Sequence, residues 1–288
     1  MKKTLSLILA VVMLFGVMAF VTSCSDDGDK LYMATNAAFP PYEYKVGAGT
    51  ALSDFAGIDV EIAQKIAEKL GKKLEIADVE FGSIVDGGQT GKYDFGMAGM
   101  TVTAKRLESV NFSTSYATGI QVIIVKDGSG ITSLDDIFNF DDENNPVSLK
   151  DESVRVGVQQ DTTGDIYSSD DITNWGFNNL AEDGSLVGDD RVIRYKTGAE
   201  AVAALKGDKV DMVIIDNEPA KSFVAANTGI HILDGEDNAY VIEDYAICVA
   251  KENTELLEAI NKALAELKAE GVIDSIVNKY INDGSSNG

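Results

Sequence analysis

Positive charge, histidine and cysteine are all scarce in this 288-residue chain, and each shortage excludes something. Twenty-four basic residues stand against forty-seven acidic ones, a net charge of −23, and charge of that sign repels phosphate. Nucleic-acid binding through a basic surface is therefore excluded. One histidine, His231, and two cysteines, Cys24 and Cys248, cannot supply a zinc finger, a cysteine-cluster metal site or a disulfide framework. No internal repeat occurs, and only one apolar run approaches membrane length. What is present is the balance of a folded protein, with 45% hydrophobic and 25% charged residues. The length suits one large domain or two modest ones.

The apolar run covers residues 5–21, behind Met1-Lys2-Lys3 and ahead of Thr22-Ser23-Cys24. A basic start, an apolar stretch and small residues before a break describe an export signal. The same run sits at the lower edge of what an uncleaved membrane anchor needs. VTSC at 21–24 resembles the lipobox of bacterial lipoproteins. That resemblance implies a signal peptide over residues 1–23 and a lipidated N-terminus at Cys24. Residues 24–30 are too polar to bury apolar surface and read as a tether, and residues 283–288 should fray. Cys248, in YAICVA at 245–250, reads as a buried small hydrophobe.

Further along, short β-rich runs alternate with helical patterns. Strands are expected at 31–34, 74–76, 94–98, 121–125, 154–158, 211–215 and 246–250. Residues 59–70 put Ile62, Ala63, Ile66, Ala67 and Leu70 on one helical face, with Gly71 as the stop. Residues 254–270 repeat this with Leu256, Leu257, Ile260, Leu264 and Leu267 ahead of Gly271. Such alternation predicts an α/β protein, its sheets covered by helices. Residues 138–152 are acidic and read as a surface loop. A second polar region at 165–190 surrounds the only tryptophan, Trp175, and Gly87 with Gly88 should end or bend a helix.

Catalytic patterns are missing too. A Ser–His–Asp or Cys–His site would have to recruit His231, which has no nucleophile elbow to serve and reads as a strand-end or loop residue. Carboxylate pairs carry no information in so acidic a chain. DGGQTGK at 86–92 lacks the Walker spacing and runs into Tyr93, so no phosphate cradle, metal or other cofactor is expected. Arginine is the informative rarity, with only Arg106, Arg155, Arg191 and Arg194. Arg106 follows GMAGMTVTAK, just past the strand expected at 94–98. There a guanidinium beside hydroxyls and glycine-exposed amides can clamp a carboxylate with two parallel hydrogen bonds. A solvated arginine at a helix start has the same spacing.

Four regions bear on that choice. They are ATNAAFPPYEY at 34–44, GIDVEIAQKIAEKLG at 57–71, KYDFGMAGMTVTAKRLESVNFSTSY at 92–116, and VRVGVQQDTTG at 154–164 with VDMVIIDNEPA at 210–220. In order and spacing they resemble a family 3 solute-binding protein, the amino-acid receptor of an ATP-driven bacterial importer, over about residues 30–280. The resemblance implies a two-lobed periplasmic-binding-protein-like fold, with two parallel or mixed sheets, flanking helices and a two-strand hinge. Lobe 1 would comprise 31–117 and 246–282, and lobe 2 would comprise 118–245. A free amino acid would be captured in the interlobe cleft and delivered to ABC permease subunits in the membrane. The protein itself would be a monomer, lipid-anchored to the outer face of the cytoplasmic membrane, or periplasmic if the cell has an outer membrane.

The resemblance also implies roles for single residues. Arg106 would clamp the ligand carboxylate with the Thr101 hydroxyl and the Thr163 amide. Gly99 and Asp216 would meet the ammonium group, although Asp216 also fits a helix N-cap. Phe39 and Phe81 would sandwich the ligand side chain, and Gln159, Gln160 and Thr162 would line the second lobe. Asn36 stands where members that take cationic amino acids tend to carry Asp, which favours a neutral polar or cystine-like ligand. Asp161 replaces what is commonly glycine, and either reads a ligand amine or points outward. Two rivals remain: a cyclohexadienyl dehydratase-like periplasmic enzyme using Glu43 or Asp161 as its acid, and an orphan sensory receptor.

Overall fold

A computed structural model describes residues 29–233 and 242–281. The expected signal peptide, Cys24, most of the tether and the tail at 283–288 lie outside the described residues. The chain opens with β1 (Lys30–Thr35), β2 (Ala38–Phe39), β3 (Glu43–Lys45), β4 (Phe55–Ala56), α1 (Ile58–Lys69), β5 (Lys73–Asp78) and α2 (Gly82–Gln89). It continues through β6 (Phe95–Gly96), α3 (Ala104–Ser109), β7 (Val110–Phe112), β8 (Ala117–Lys126), β9 (Phe138–Phe140), β10 (Pro146–Leu149), β11 (Val156–Gln159) and α4 (Thr163–Ser168). The remainder is β12 (Val192–Tyr195), α5 (Gly198–Lys206), β13 (Met212–Asp216), α6 (Asn217–Ala226), β14 (Ile230–Ile232), β15 (Ile242–Tyr245), β16 (Cys248–Ala250), α7 (Thr254–Ala269) and α8 (Val272–Ile281).

Two sheets organise these elements. The first has the order β5-β1-β6-β16-β7, and the second has β12-β11-β13-β8-β14. β1 and β6 run parallel, as do β12, β11 and β13, whereas β16 and β8 enter antiparallel. β8 serves a double purpose. Its start, from Ala117 to Ile120, pairs with β15, and its remainder pairs with β13 and β14. β7 and β16 belong to the first sheet, so the chain passes between the sheets along β8 and again along β15.

Burial on both faces explains the unbroken apolar strands. In β13, Met212 and Ile214 pack with Phe138, Val156 and Phe177, while Val213 and Ile215 turn to the opposite cluster under α5 and α6. Ile123 and Ile124 of β8 divide between the same two clusters. α1 buries Ile62, Ala63, Ile66 and Ala67 as its periodicity predicts, but Asp59 at its start is also fully buried.

The structure corrects several local expectations. Residues 138–152 form the β9–β10 hairpin rather than a loop, because Phe138 and Leu149 face inward while the acidic residues gather at the turn. α2 runs through Gly87 and Gly88 instead of ending there. A Cβ on Gly87 would stand 2.6 Å from the Tyr93 ring, so the missing side chain lets that ring close on the helix. The strand expected at 94–98 contracts to β6, and the one at 154–158 shifts to β11. Patterning also missed the short β2-β3-β4 sheet beside α1.

Gly57 is the joint between that sheet and α1. Its φ is 126°, and a Cβ there would lie 2.1 Å from the Tyr42 carbonyl oxygen. The close approach lets Ile58 N and Asp59 N donate to Pro41 O and Tyr42 O at 3.0 and 2.9 Å. Gly57→Ala should therefore cost about 3 kcal/mol of unfolding free energy, from backbone strain plus a clash that no rotamer relieves. Urea denaturation of the variant checks this.

Candidate ligand-binding site

The carboxyl ends of β1, β6, β11 and β13 converge on one narrow cavity, nearly closed at about 10 Å³ of free space. This is where open parallel sheets place their ligands. The lining residues fall on both sheets. Asn36 follows β1, Gly99 and Thr101 follow β6, Gln159 ends β11, Thr163 opens α4 and Asp216 ends β13. Phe39, Glu43, Phe81, Ala98, Arg106 and Thr162 complete the wall. The structure thus brings together every sequence-predicted site residue except Gln160, which is exposed and donates to Asp161 Oδ2 at 3.3 Å. Gln160 lies one residue past the end of β11, where the chain turns outward ahead of α4.

Arg106 is 8% exposed, on the short helix α3 capped by Thr103. Its Nη1 donates to Thr101 O at 2.7 Å, and Nη2 reaches the other sheet's loop to donate to Asp161 O at 3.0 Å. The guanidinium carbon sits 5.2 Å from the Phe81 ring centre, a cation–π contact. Burial lowers its pKa, opposed by the nearby Glu243 and Asp216 carboxylates. Even so, an arginine stays charged here. The opposing anion is Asp216. It occupies the N-cap position of α6 but makes no side-chain cap, and instead accepts from the Tyr245 hydroxyl. Burial and the neighbouring Glu243 push its pKa up to about 7, against the pull of Tyr245 and Gln121.

Around this pair runs a polar network that sequence reading did not anticipate. Glu243 of β15 accepts from Thr101 Oγ1 at 3.1 Å and from Gln121 Nε2 at 3.0 Å, and Gln121 Nε2 also lies 3.2 Å from Thr163 Oγ1. A polar residue inside an otherwise apolar strand, Gln121 in β8, was the available signal, whereas β15, IEDY, offered none for Glu243. Asn36 bridges the two sheets. Its Nδ2 donates to Val79 O at 2.7 Å, and its Oδ1 accepts from Gln159 Nε2 at 2.9 Å. Asp161 is exposed in left-handed backbone, φ 64°, with its carboxylate against Gly82 at the start of α2. His231 sits on β14, with Nδ1 2.8 Å from Asp127 on the surface, and Cys248 is buried in β16.

Residues 31–283 match the bacterial extracellular solute-binding proteins, family 3. This chain belongs to that family. Among relatives, it is 29% identical to the arginine-binding extracellular protein ArtP of Bacillus subtilis, over 97% of this chain and 98% of that one. The substrate-binding protein of an amino acid ABC transporter superposes with a TM-score of 0.71 at 30% identity, over 87% of this chain and 98% of that one. An ancestral arginine-binding protein bound to glutamine gives 0.69 at 34% identity, over 88% and 97%.

In this family 3 protein the Tyr245 hydroxyl favours the ionised form of Asp216 against the cost of burial. Tyr245→Phe removes that donor and should cost about 1–3 kcal/mol where Asp216 is charged. The loss should shrink as pH falls through about 7, because the protonated acid needs no donor. Denaturant titrations on either side of neutrality measure both limbs.

Proposed function

We propose that this chain is the receptor of an amino-acid ABC importer, capturing a free amino acid between its lobes and passing it to the membrane permease. One observation carries the reading: a buried guanidinium and a buried carboxylate line the same cavity from opposite lobes. A zwitterion is expensive to bury unless each charge meets its opposite. Arg106, Thr101 and the Thr163 amide would take the α-carboxylate, while Asp216 and the Gly99 backbone would take the ammonium. Phe39 and Phe81 would flank the side chain, beside Asn36, Gln159 and Thr162. On this reading the lobes run over 31–117 with 246–282 and over 118–245, hinged on β8 and β15. Closure about such a hinge removes the ligand from water. The chain would act as a monomer, exported and tethered through a lipid on Cys24.

The bridge between Asn36 and Gln159 favours a neutral polar or cystine-like ligand side chain, since amides suit uncharged partners. A basic side chain is the second reading. It is supported by relatives named for arginine and by Gln159 Oε1, a buried acceptor without a donor among the described residues.

Screening the twenty amino acids and cystine by thermal shift should find at least one that raises Tm, since a ligand at a hundred times its Kd adds about 2.7 kcal/mol. A flat response throughout overturns the assignment. Glutamine and asparagine against arginine and lysine separate the two side-chain readings. Arg106→Ala should weaken the best binder by about a hundredfold or more in isothermal titration. Undiminished affinity in that variant would remove Arg106 from the site.

A further inference from the structure

In the cavity wall and behind it lie two carboxyl groups, Glu43 and Asp59, whose hydrogen bonds do not close if both are ionised. Asp59 and Glu43 are fully buried, 0% exposed, and their backbones are held together by the Gly57 joint. Asp59 Oδ2 accepts from Gly99 N and from the Tyr116 hydroxyl, each at 2.8 Å. Asp59 Oδ1 and both Glu43 oxygens meet no ordinary donor. The two side chains nevertheless lie within hydrogen-bonding reach of one another. A single proton on Glu43, donated to Asp59 Oδ1, satisfies both sides of that contact. Without it, two like charges would be buried against each other at a cost of several kcal/mol.

We propose that Glu43 and Asp59 share one proton and together position the site: protonated Glu43 donates to Asp59, and ionised Asp59 holds the Gly99 amide and the Tyr116 hydroxyl. Gly99 is left-handed, φ 50°, and lines the cavity, so the pair sets the backbone that would face the ligand ammonium. That last role rests on the receptor reading, whereas the shared proton does not. The other groups acting on the pair are Asp216 at the end of β13, Tyr116 ahead of β8, and Tyr42 beside β3, whose hydroxyl both acids affect. Arg106, the cation in the cavity wall, acts on Asp216 and Glu243. Keeping Glu43 neutral therefore leaves Asp216 as the acid available to the ligand charge.

The sign of the pH dependence follows. Burial first, and Asp59 second, hold the Glu43 pKa well above the ordinary 4.5. The folded chain then keeps a proton that the unfolded chain releases above that value. Stability is greatest on the acid side and falls as pH rises, by about a tenfold change in the unfolding constant per pH unit for each such proton. Asp216 and Asp59 contribute similar falls that end near 7, so the Glu43 contribution is the one that continues above it, where Asp59 is ionised.

The test uses the ligand-free chain, so failure to bind any amino acid would leave it intact. At about pH 8 the infrared spectrum should hold a carboxylic-acid carbonyl band, lost in Glu43→Gln, which keeps a donor toward Asp59 but cannot titrate. The same variant should flatten the fall in the unfolding constant between about pH 5 and 8 by up to tenfold per unit. Asp59→Asn should move the Gly99 amide resonance, which Glu43→Gln should leave hydrogen-bonded. A wild-type spectrum without the acid band at that pH overturns the proposal whether or not the variants fold. Equal pH slopes in wild type and Glu43→Gln overturn it too.

Discussion

Arg106 carries its charge into the interior of a chain that is otherwise overwhelmingly acidic, and the organisation of the cleft follows from satisfying it. The guanidinium spends one N–H on Thr101 O in its own lobe and another on Asp161 O in the other. Glu243 and Asp216 balance its charge at longer range. Those carboxylates need donors of their own, which Tyr245 and Gln121 provide from the strands that pass between the sheets and Thr101 from the loop after β6. A buried ion without such a network would neutralise or unfold its surroundings.

Geometry of the parallel strands places this network. β1, β6, β11 and β13 end at the same level, and the polar residues sit at the last strand positions, Gln159 and Asp216, and in the loops that follow. β8 and β15 are the exception. Each takes part in sheet pairing and also carries a buried polar side chain, Gln121 or Glu243, toward the network. The passage between the lobes is thereby tied to the chemistry of the cavity, and the same side chains that bridge the sheets register any change in its charge.

Much of this was legible in the chain. The periodicity of α1 and α7, the strand–helix alternation and the motifs around Arg106 and Asp216 place helices, sheets and cavity residues close to where they stand. The misses have local causes. The β9–β10 hairpin hides its apolar pairs among acids, and Gly87 looks like a break until the Tyr93 ring is seen to fill its place. Gln160 falls one residue past the end of β11, in the turn before α4, and nothing in the sequence marks that boundary. Gln121 was marked only by its apolar strand and Glu43 only as a candidate acid, while Asp59 and Glu243 were unreadable because a carboxylate in so acidic a sequence has no mark of burial.

By itself, then, the sequence determined the apolar periodicities, the scarcity of arginine that singles out Arg106, and the excess of acid that keeps the surface negative. These are properties of composition and spacing, and they survive without knowledge of neighbours. Tertiary structure decided which acids lose their water. Asp59 and Asp216, pushed to about 7, differ from dozens of surface carboxylates only in what surrounds them. Desolvation and hydrogen-bond partners come from residues far apart in the chain, so they exist only once the two sheets have met.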